Sequence, residues 1–433
     1  MRWFRMVCFG ICKRKMLRIA EERAKLLEEL RGQLRERIQL AKLNSVWEDA
    51  WRNVPYYAAL RNEHNLPDRF RNVGEFCAKV PALEKQDLRK NQELFRRWGA
   101  LPDDWVATGG STGESLCVAV WKDEAVVSGA NHLIGRSWYG VLPGDKLLIV
   151  WGHAHLLGSG WRRWVRSIQR QLKDRFLGYR RLNAYFLDEM SLARMAKAYI
   201  RYRPDYVVGY SGALTLLARQ IRGRARFRPK VVIGCAEGFA NVGNRQYVSE
   251  AFQAPVSMEY GSVECDLIAH EHPQGGYRVF WDTHLVEAER PSSSVTPILV
   301  TKLMHCYTPL IRYRIGDDVA LEQTAAGPLE RFAAVVGRTD DMTFLPNGTK
   351  VHWAVIDDAL CEIRSVLQFQ LVRRNGQIEA IRIRTEGKMT EEAEAAIRSR
   401  LGRVSCELAA LPIIQVNDMP KTLAGKIRWY VDG

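Results

Sequence analysis

The run Thr108-Gly109-Gly110-Ser111-Thr112-Gly113-Glu114 has a composition that fits one chemical task, the wrapping of a polyphosphate. Its three glycines clear side chains away, so consecutive backbone N–H groups can turn toward a single anion, and its three hydroxyls add donors around it. No Gly-Lys-Ser/Thr closes the run, so it is not a P-loop, and it lacks the dinucleotide-fingerprint spacing. The same composition also suits a flexible surface turn.

Further polar clusters follow in order along the chain. They are Gly234-Cys235-Ala236-Glu237, Tyr260-Gly261-Ser262-Val263-Glu264, Ile311-Arg312-Tyr313-Arg314-Ile315-Gly316-Asp317, Gly337-Arg338-Thr339-Asp340-Asp341 and Met419-Pro420-Lys421-Thr422-Leu423-Ala424-Gly425-Lys426. Taken singly, each has an ordinary reading. A loop carboxylate such as Glu264 is a hard-cation ligand or a solvated charge, and Tyr260 fits a core equally well. Asp317 either accepts hydroxyl hydrogen bonds or pairs with Arg312 or Arg314. Lys426 in a basic chain reads as surface when stripped of context.

Their order carries more than their individual chemistry. It resembles the adenylate-forming (AMP-forming) ligase superfamily, most closely its phenylacetate–CoA ligase and CapK-like capsular-polysaccharide-locus branch, from residue 108 to residue 426. The resemblance implies an ATP-dependent enzyme that joins a carboxylate to the α-phosphate, expels pyrophosphate and passes the acyl group to CoA, a carrier thiol or an amine. Catalysis would then rest on charge neutralisation and positioning.

The implied roles fall residue by residue. Thr108, Gly109, Gly110, Ser111, Thr112 and Gly113 would hold the leaving phosphates, with Gly234, Ala236 and Glu237 also against the nucleotide. Tyr260 would pack on adenine, with Gly261 and Ser262 beside it, and Glu264 would reach Mg²⁺. Asp317 would accept the ribose hydroxyls, Arg338 would reach ribose or phosphate, and Asp341 would mark a hinge. Lys426, together with Glu264, would be catalytic, its ammonium bridging carboxylate and α-phosphate. One departure stands out: the lysine common shortly after the last loop glycine is missing, and Lys122 is the nearest substitute. That gap leaves open a nucleotide-binding scaffold without turnover, and a third reading is an adenylyltransferase that leaves AMP on a hydroxyl.

Two more constellations bear ligand-type side chains. Cys265, His270, His272 and Cys306 offer zinc-type donors in a spacing that matches no compact zinc pattern. Trp151, His153, His155 and Tyr210 lie after strand-like runs where, by the resemblance, an acyl pocket is built; a tryptophan-rich packing turn is the alternative.

The elements that must position these residues alternate. Between residues 45 and 340, apolar runs such as Leu147-Leu148-Ile149-Val150 and Tyr206-Val207-Val208-Gly209-Tyr210 alternate with helical periodicity, the rhythm of an α/β fold. The run Pro229-Lys230-Val231-Val232-Ile233 places Gly234 at a strand's C-terminal end, where open α/β sheets bind ligands. Beyond the hinge, residues 341–433 read as a small α+β lid that moves against the large N-terminal adenylation domain. Its expected strands are 368–373, 380–384 and 413–416, with a helix over 390–401.

Residues 1–44 form a basic amphipathic segment, with one helix expected from Met16 to Leu43. Ahead of it, Trp3, Phe4, Met6 and Phe9 mix with Arg2 and Arg5, a combination for peripheral membrane contact or for packing on its own domain. The chain has 433 residues, 47% of them hydrophobic, and a net charge of +15, which favours anionic partners such as nucleotides. No nucleic-acid module accompanies the charge, so no nucleic-acid partner is expected. Nine scattered cysteines and no cleavable signal point to thiols in a cytoplasmic protein.

Overall fold

The computed structural model describes residues 2–30, 32–107, 116–152, 161–184, 187, 189–236, 238–239, 242–323, 327–338, 342–345, 347–348, 350–352, 356, 359–360, 363, 365–385, 387–419 and 430–432. The chain divides into two units, one of Met1–Cys8, Pro143–Met258 and Arg338–Gly433, the other of Phe9–Leu142 and Glu259–Gly337.

In the first unit four short strands pair in parallel. The order is Tyr179–Asn183, Leu147–Trp151, Tyr206–Tyr210, Val232–Cys235. Parallel neighbours need a crossover, and the helices Trp161–Leu177, Glu189–Tyr202 and Ser211–Ile221 lie between them in sequence. Covering helices leave no polar face, so all five residues of Tyr206–Tyr210 are buried. The core gathers Leu148, Val150, Tyr199, Val207, Leu214, Leu217, Val232 and Phe252.

Gly209 belongs to this core for a steric reason. A Cβ there would stand 2.7 Å from the Val150 carbonyl oxygen and 2.8 Å from the Val150 Cβ, both on a neighbouring strand.

The C-terminal part of the same unit is a separate sheet. The strands Val366–Arg374 and Gln377–Thr385 form a hairpin, Ile413–Gln415 adds in parallel to the second strand and Tyr430–Asp432 to the first. The hairpin turns at Asn375 and Gly376, with φ of 50° and 79°, as a two-residue turn with both residues left-handed requires. The helix Glu391–Val404 starts at Thr390, whose side chain accepts from the Ala393 N–H. Its buried Ile397 and Leu401 share a cluster with Phe369, Leu371, Ile381 and Ile383. Two arginines tie this sheet to the rest of the unit: Arg219 donates to the Val366 carbonyl at 3.0 Å and Arg384 to the Leu187 carbonyl at 3.1 Å.

The second unit is built on antiparallel pairing. One ladder runs His284–Ala288, Val295–Lys302, Tyr313–Ala320. The other joins the end of Val256–Ser262 to Asp266–Glu271, then to Tyr277–Val279 and Arg331–Phe332.

The helix Lys122–Ser137 packs against Asp266–Glu271 so closely that a Cβ on Gly135 would lie 2.3 Å from the His270 ring. Over that helix lies Arg14–Glu29, with Ala20, Ala130, Ile134, Leu267 and Phe280 in one cluster. Arg23 fixes it with a two-point pair to Asp282 at 2.5 and 2.8 Å. The amphipathic segment after residue 13 thus packs on its own unit. The single helix expected over 16–43 is two, Arg14–Glu29 and Gly32–Asn53: Leu30 is extended at ψ 126° and Gly32 is left-handed at φ 59°.

Gly209→Ala should destabilise the parallel sheet by about 1–3 kcal/mol, because the added methyl meets backbone rather than a yielding side chain. Urea unfolding followed by amide exchange in residues 206–210 checks it, and an unchanged midpoint would contradict the packing argument.

Candidate active site

In the second unit, the turn between the strands ending at Ser262 and starting at Asp266 carries Glu264. Its sharpness has a cause at each end. A Cβ on Gly261 would fall 2.0 Å from the Asp266 carbonyl oxygen, so only glycine allows the two strands to close there. Asp266 itself is left-handed at φ 62°, and the Cys265 N–H donates to the Ser262 hydroxyl at 3.1 Å. His284 Nε2 donates to the Cys265 carbonyl at 2.8 Å. Burial drives the His284 pKa down to about 4, so the ring is neutral and keeps a donor and an acceptor.

Lys302 completes the turn from beneath. Its ammonium, 2% exposed, reaches Asp266 Oδ2 at 2.9 Å, Glu124 Oε2 at 3.1 Å and the Glu264 carbonyl at 3.4 Å. Burial acts to lower its pKa, yet the surrounding groups, Asp266 and Glu124 among them, outweigh burial and hold it well above the usual lysine value. The other Glu124 oxygen accepts from the Tyr307 and Trp121 N–H groups at 3.0 and 2.8 Å.

The Glu264 side chain is 5% exposed, and its Oε1 accepts from the Tyr313 hydroxyl at 3.0 Å with the Lys85 ammonium 3.8 Å away. A carboxylate that accepts from the Tyr313 hydroxyl is a hard-oxygen donor of the kind a cation such as Mg²⁺ takes.

Tyr260, on the strand leading into this turn, donates its hydroxyl to Asp317 Oδ2 at 2.9 Å. Its ring stands edge-on to Phe332 at 5.7 Å, and Phe332 stacks on Tyr277 at 4.9 Å. Asp317 shares the strand Tyr313–Ala320 with Tyr313, so one strand supplies partners to both Tyr260 and Glu264. That strand is irregular. Gly316 is left-handed at φ 85°, and pairing slips between Pro297 and Leu299, a bulge that re-aims the residues beside it.

The neighbouring arginines have other carboxylates. Arg312 pairs with Glu287 at 3.0 Å, and Arg314 with Glu84 at 2.9 Å and with Glu289. Glu264, Tyr260, Gly261, Ser262 and Asp317 therefore come together within one unit.

The first unit carries a second group at the C-terminal ends of its parallel strands. Trp151 and Tyr210 close adjacent strands with ring centroids 4.3 Å apart. Gly234 and Ala236 follow on the next strand, Ala236 left-handed at φ 69°. A Cβ on Gly234 would lie 2.6 Å from both the Ser211 hydroxyl and the Met258 sulfur. These ends are where ligands enter an open α/β sheet.

Thr108, Gly109, Gly110, Ser111, Thr112 and Gly113, with His153, His155, Glu237, Asp341 and Lys426, lie outside the described residues, as does the side chain of Arg338. Lys122 is at the surface, its backbone N–H donating to Asp103 at 3.0 Å and its ammonium 3.4 Å from the same carboxylate. Among the described residues no three His, Cys, Asp or Glu side chains are grouped to hold a metal, and Cys265, His270, His272 and Cys306 do not converge. His270 Nδ1 donates to the Glu271 carbonyl at 2.8 Å, and burial pushes the Cys265 thiol well up.

Lys302, Glu124 and Tyr313 are site residues that the motifs did not single out. Tyr313 stood inside a quoted motif. A buried Lys whose partners lie 36 and 178 residues away leaves no local signal.

A scan of protein-family models finds no match. Among curated proteins, the chain is 25% identical to protein CapK of Staphylococcus aureus over 304 residues, 67% of this chain and 65% of the relative. It thus spans just under two thirds of that relative's length. It is 24% identical to the phenylacetate–coenzyme A ligase of Escherichia coli across 81% of this chain and 82% of the relative. The Thermus thermophilus enzyme of the same name matches at 24% across 94% and 98%. Among solved structures, 2-hydroxyisobutyryl-CoA ligase in the postadenylation state with R3-HIB-AMP superposes at TM-score 0.70. That match has 18% identity and covers 94% of this chain and 91% of the other.

Lys302→Met should cost about 3–5 kcal/mol, since it leaves buried Glu124 and partly exposed Asp266 without their cation. Glu124→Gln in the same chain should recover part of the loss in a double-mutant cycle of unfolding free energies, and strict additivity would argue against a direct pair.

Acid should weaken the second unit in a defined window. His270 and His284 hold folded pKa values of about 4 against about 6.5 unfolded. The unfolded chain therefore binds more protons between those values, so stability is full above about 6.5 and falls as pH drops toward 4. The urea midpoint measured against pH should show this, with a shallower slope in His284→Gln.

Proposed function

We propose that the chain belongs to the adenylate-forming ligase superfamily, in its phenylacetate–CoA ligase and CapK branch, and is an ATP-dependent AMP-forming ligase acting on a carboxylic acid. The observation that carries this reading is the convergence of Tyr260 on one strand, Glu264 in the turn that follows it and Asp317 on a strand of the other sheet, linked by the Tyr260–Asp317 and Tyr313–Glu264 hydrogen bonds. An aromatic face, a hydroxyl-accepting carboxylate and a cation-binding carboxylate are the groups a nucleoside triphosphate requires.

In the first half-reaction a carboxylate oxygen forms a bond to the α-phosphorus and the bond to the β-phosphate oxygen breaks, releasing pyrophosphate. Tyr260 offers its ring to adenine, and Asp317, already an acceptor for the Tyr260 hydroxyl, accepts from the ribose hydroxyls. Glu264 would hold Mg²⁺, which neutralises phosphate charge when bound. The 108–113 loop receives the leaving phosphates, with Gly234, Ala236, Glu237, Ser262 and Arg338 as further nucleotide contacts. Lys426 places its ammonium between carboxylate and α-phosphate as negative charge gathers there. Trp151 and Tyr210, their ring centroids 4.3 Å apart, with His153 and His155, form the acyl pocket.

In the second half-reaction the acceptor attacks the acyl carbonyl and AMP leaves. A thiol, of CoA or a carrier protein, is the acceptor this reading favours, with an amine as the variant of the CapK-like branch. Residues 45–340 act as the adenylation domain and 341–433 as a lid that turns about Asp341 between the two steps. Turning requires release of the Arg219 bond to Val366 and the Arg384 bond to Leu187. No helix among the described residues is long and apolar enough to cross a membrane. A cytoplasmic enzyme that touches the membrane peripherally through its N-terminal segment fits the +15 charge.

Pyrophosphate exchange against aryl, fatty, amino and hydroxy acids tests adenylation directly. Failure with every acid would leave a nucleotide-binding scaffold. Lys426→Ala should lower exchange by about 10²-fold or more, the scale of one preorganised charge, while transfer from supplied acyl-AMP changes far less. Equal losses in both steps would remove Lys426 from the bond-forming role.

A further inference from the structure

The helix Arg2–Cys12 has two faces with opposite characters. Arg2 and Arg5 turn toward the protein: Arg5 Nε donates to the Gly144 carbonyl at 2.9 Å and Arg2 pairs with Asp145 at 3.2 Å. The seat is close, since a Cβ on Gly144 would meet the Met6 backbone at 2.7 Å and one on Gly178 would meet Arg5 at 2.6 Å. On the other face Trp3 and Phe4 are 72% and 53% exposed, with Val7 one turn on from Trp3. Phe4 meets Phe176 at 6.3 Å between centroids, and Phe176 with Leu172, one turn earlier on Trp161–Leu177, is itself about half exposed. Four large apolar side chains from two helices thus form one solvent-facing patch, of the kind that marks an interaction site.

Beside the patch opens a cavity of about 600 Å³ whose lining includes Arg5, Lys146, Arg170, Arg175, Arg180 and Arg181. Against these six cations the lining holds a single carboxylate, Asp174, which pairs with Arg181 at 2.7 Å. Arg180 lies over the Tyr202 ring at 5.7 Å and Lys146 donates to the Tyr202 carbonyl at 2.8 Å, so part of the positive wall is held in place. A soluble anion would explain the cavity and leave the aromatic patch idle. A bilayer with anionic headgroups uses both, with headgroup phosphates at the arginines and Trp3, Phe4, Leu172 and Phe176 entering the acyl boundary.

We propose that this face is a docking surface for an anionic lipid bilayer. It deepens the peripheral-contact reading above and does not depend on the adenylation chemistry.

Co-sedimentation of the full chain with phosphatidylcholine vesicles, with and without about 30% phosphatidylglycerol, tests it. Binding should need the anionic lipid and weaken as salt rises. Arg175→Glu with Arg180→Glu should lower it about tenfold or more, each basic residue near the surface contributing to affinity. Trp3→Ser with Phe4→Ser, both at exposed positions, should also lower it and should remove the binding that survives high salt.

Thermal melting of each variant establishes that it is folded, a readout separate from ligase activity. Four results would overturn the proposal: no binding of the wild-type chain, equal binding to pure phosphatidylcholine, folded variants that bind as well as wild type, or inorganic phosphate raising the melting temperature while vesicles leave the chain in the supernatant. The last would make the cavity a soluble-anion site.

Discussion

The Lys302 ammonium ties together stretches of the second unit that are far apart in sequence. It bonds Asp266 and the Glu264 carbonyl on one turn and Glu124 at the start of a helix. A charge buried this deeply is tolerated only when its partners remain in place, so the turn, the helix start and the strand that carries Lys302 are held as one arrangement. The Glu264 carboxylate depends on it at one remove: its backbone is pinned from below and its side chain is aimed by the Tyr313 hydroxyl. Gly261 supplies the steric half of the same constraint, admitting Asp266 where any side chain would collide.

The two kinds of sheet serve different ends. Parallel strands in the first unit put Trp151, Tyr210 and Gly234 at one edge because every strand points the same way. In the second unit Tyr260 and Asp317 lie on strands of two different sheets, and a side-chain hydrogen bond of 2.9 Å joins them beside the irregularity at Gly316. The convergence of one aromatic and two carboxylates is thus a product of irregularities, a tight turn and a bulge, built on otherwise regular pairing.

The N-terminal segment shows how one composition divides between two fates. From Arg14 onward its apolar residues face a partner helix, and Ala20 is buried beside Ala130 and Ile134. Before it, Arg2 and Arg5 bond to the protein while Trp3 and Phe4 face outward and Phe9, further along the same helix, is buried. At the start of the helix the underlying surface offers the arginines a carbonyl and the buried Asp145 carboxylate, so their polar heads are held there and the rings of Trp3 and Phe4 face solvent.

By itself the sequence determined the elements and the motif order. The alternation of apolar runs with helical periodicity marked the parallel strands, and the expected C-terminal strands and helix correspond to Val366–Arg374, Gln377–Thr385, Ile413–Gln415 and Glu391–Val404. Glycine and turn chemistry are local, so they can be read locally: Asn375-Gly376 makes its hairpin without help from the rest of the chain. Tertiary structure alone decided which carboxylate meets which cation. Asp317 had Arg312 and Arg314 as its near neighbours in sequence, but those guanidinium groups reach Glu287, Glu84 and Glu289, while Asp317 accepts from Tyr260. The seating of Lys302 belongs to the same class. It is set by partners brought close only when distant segments pack, and a hydrophobic pattern along one segment carries no record of them.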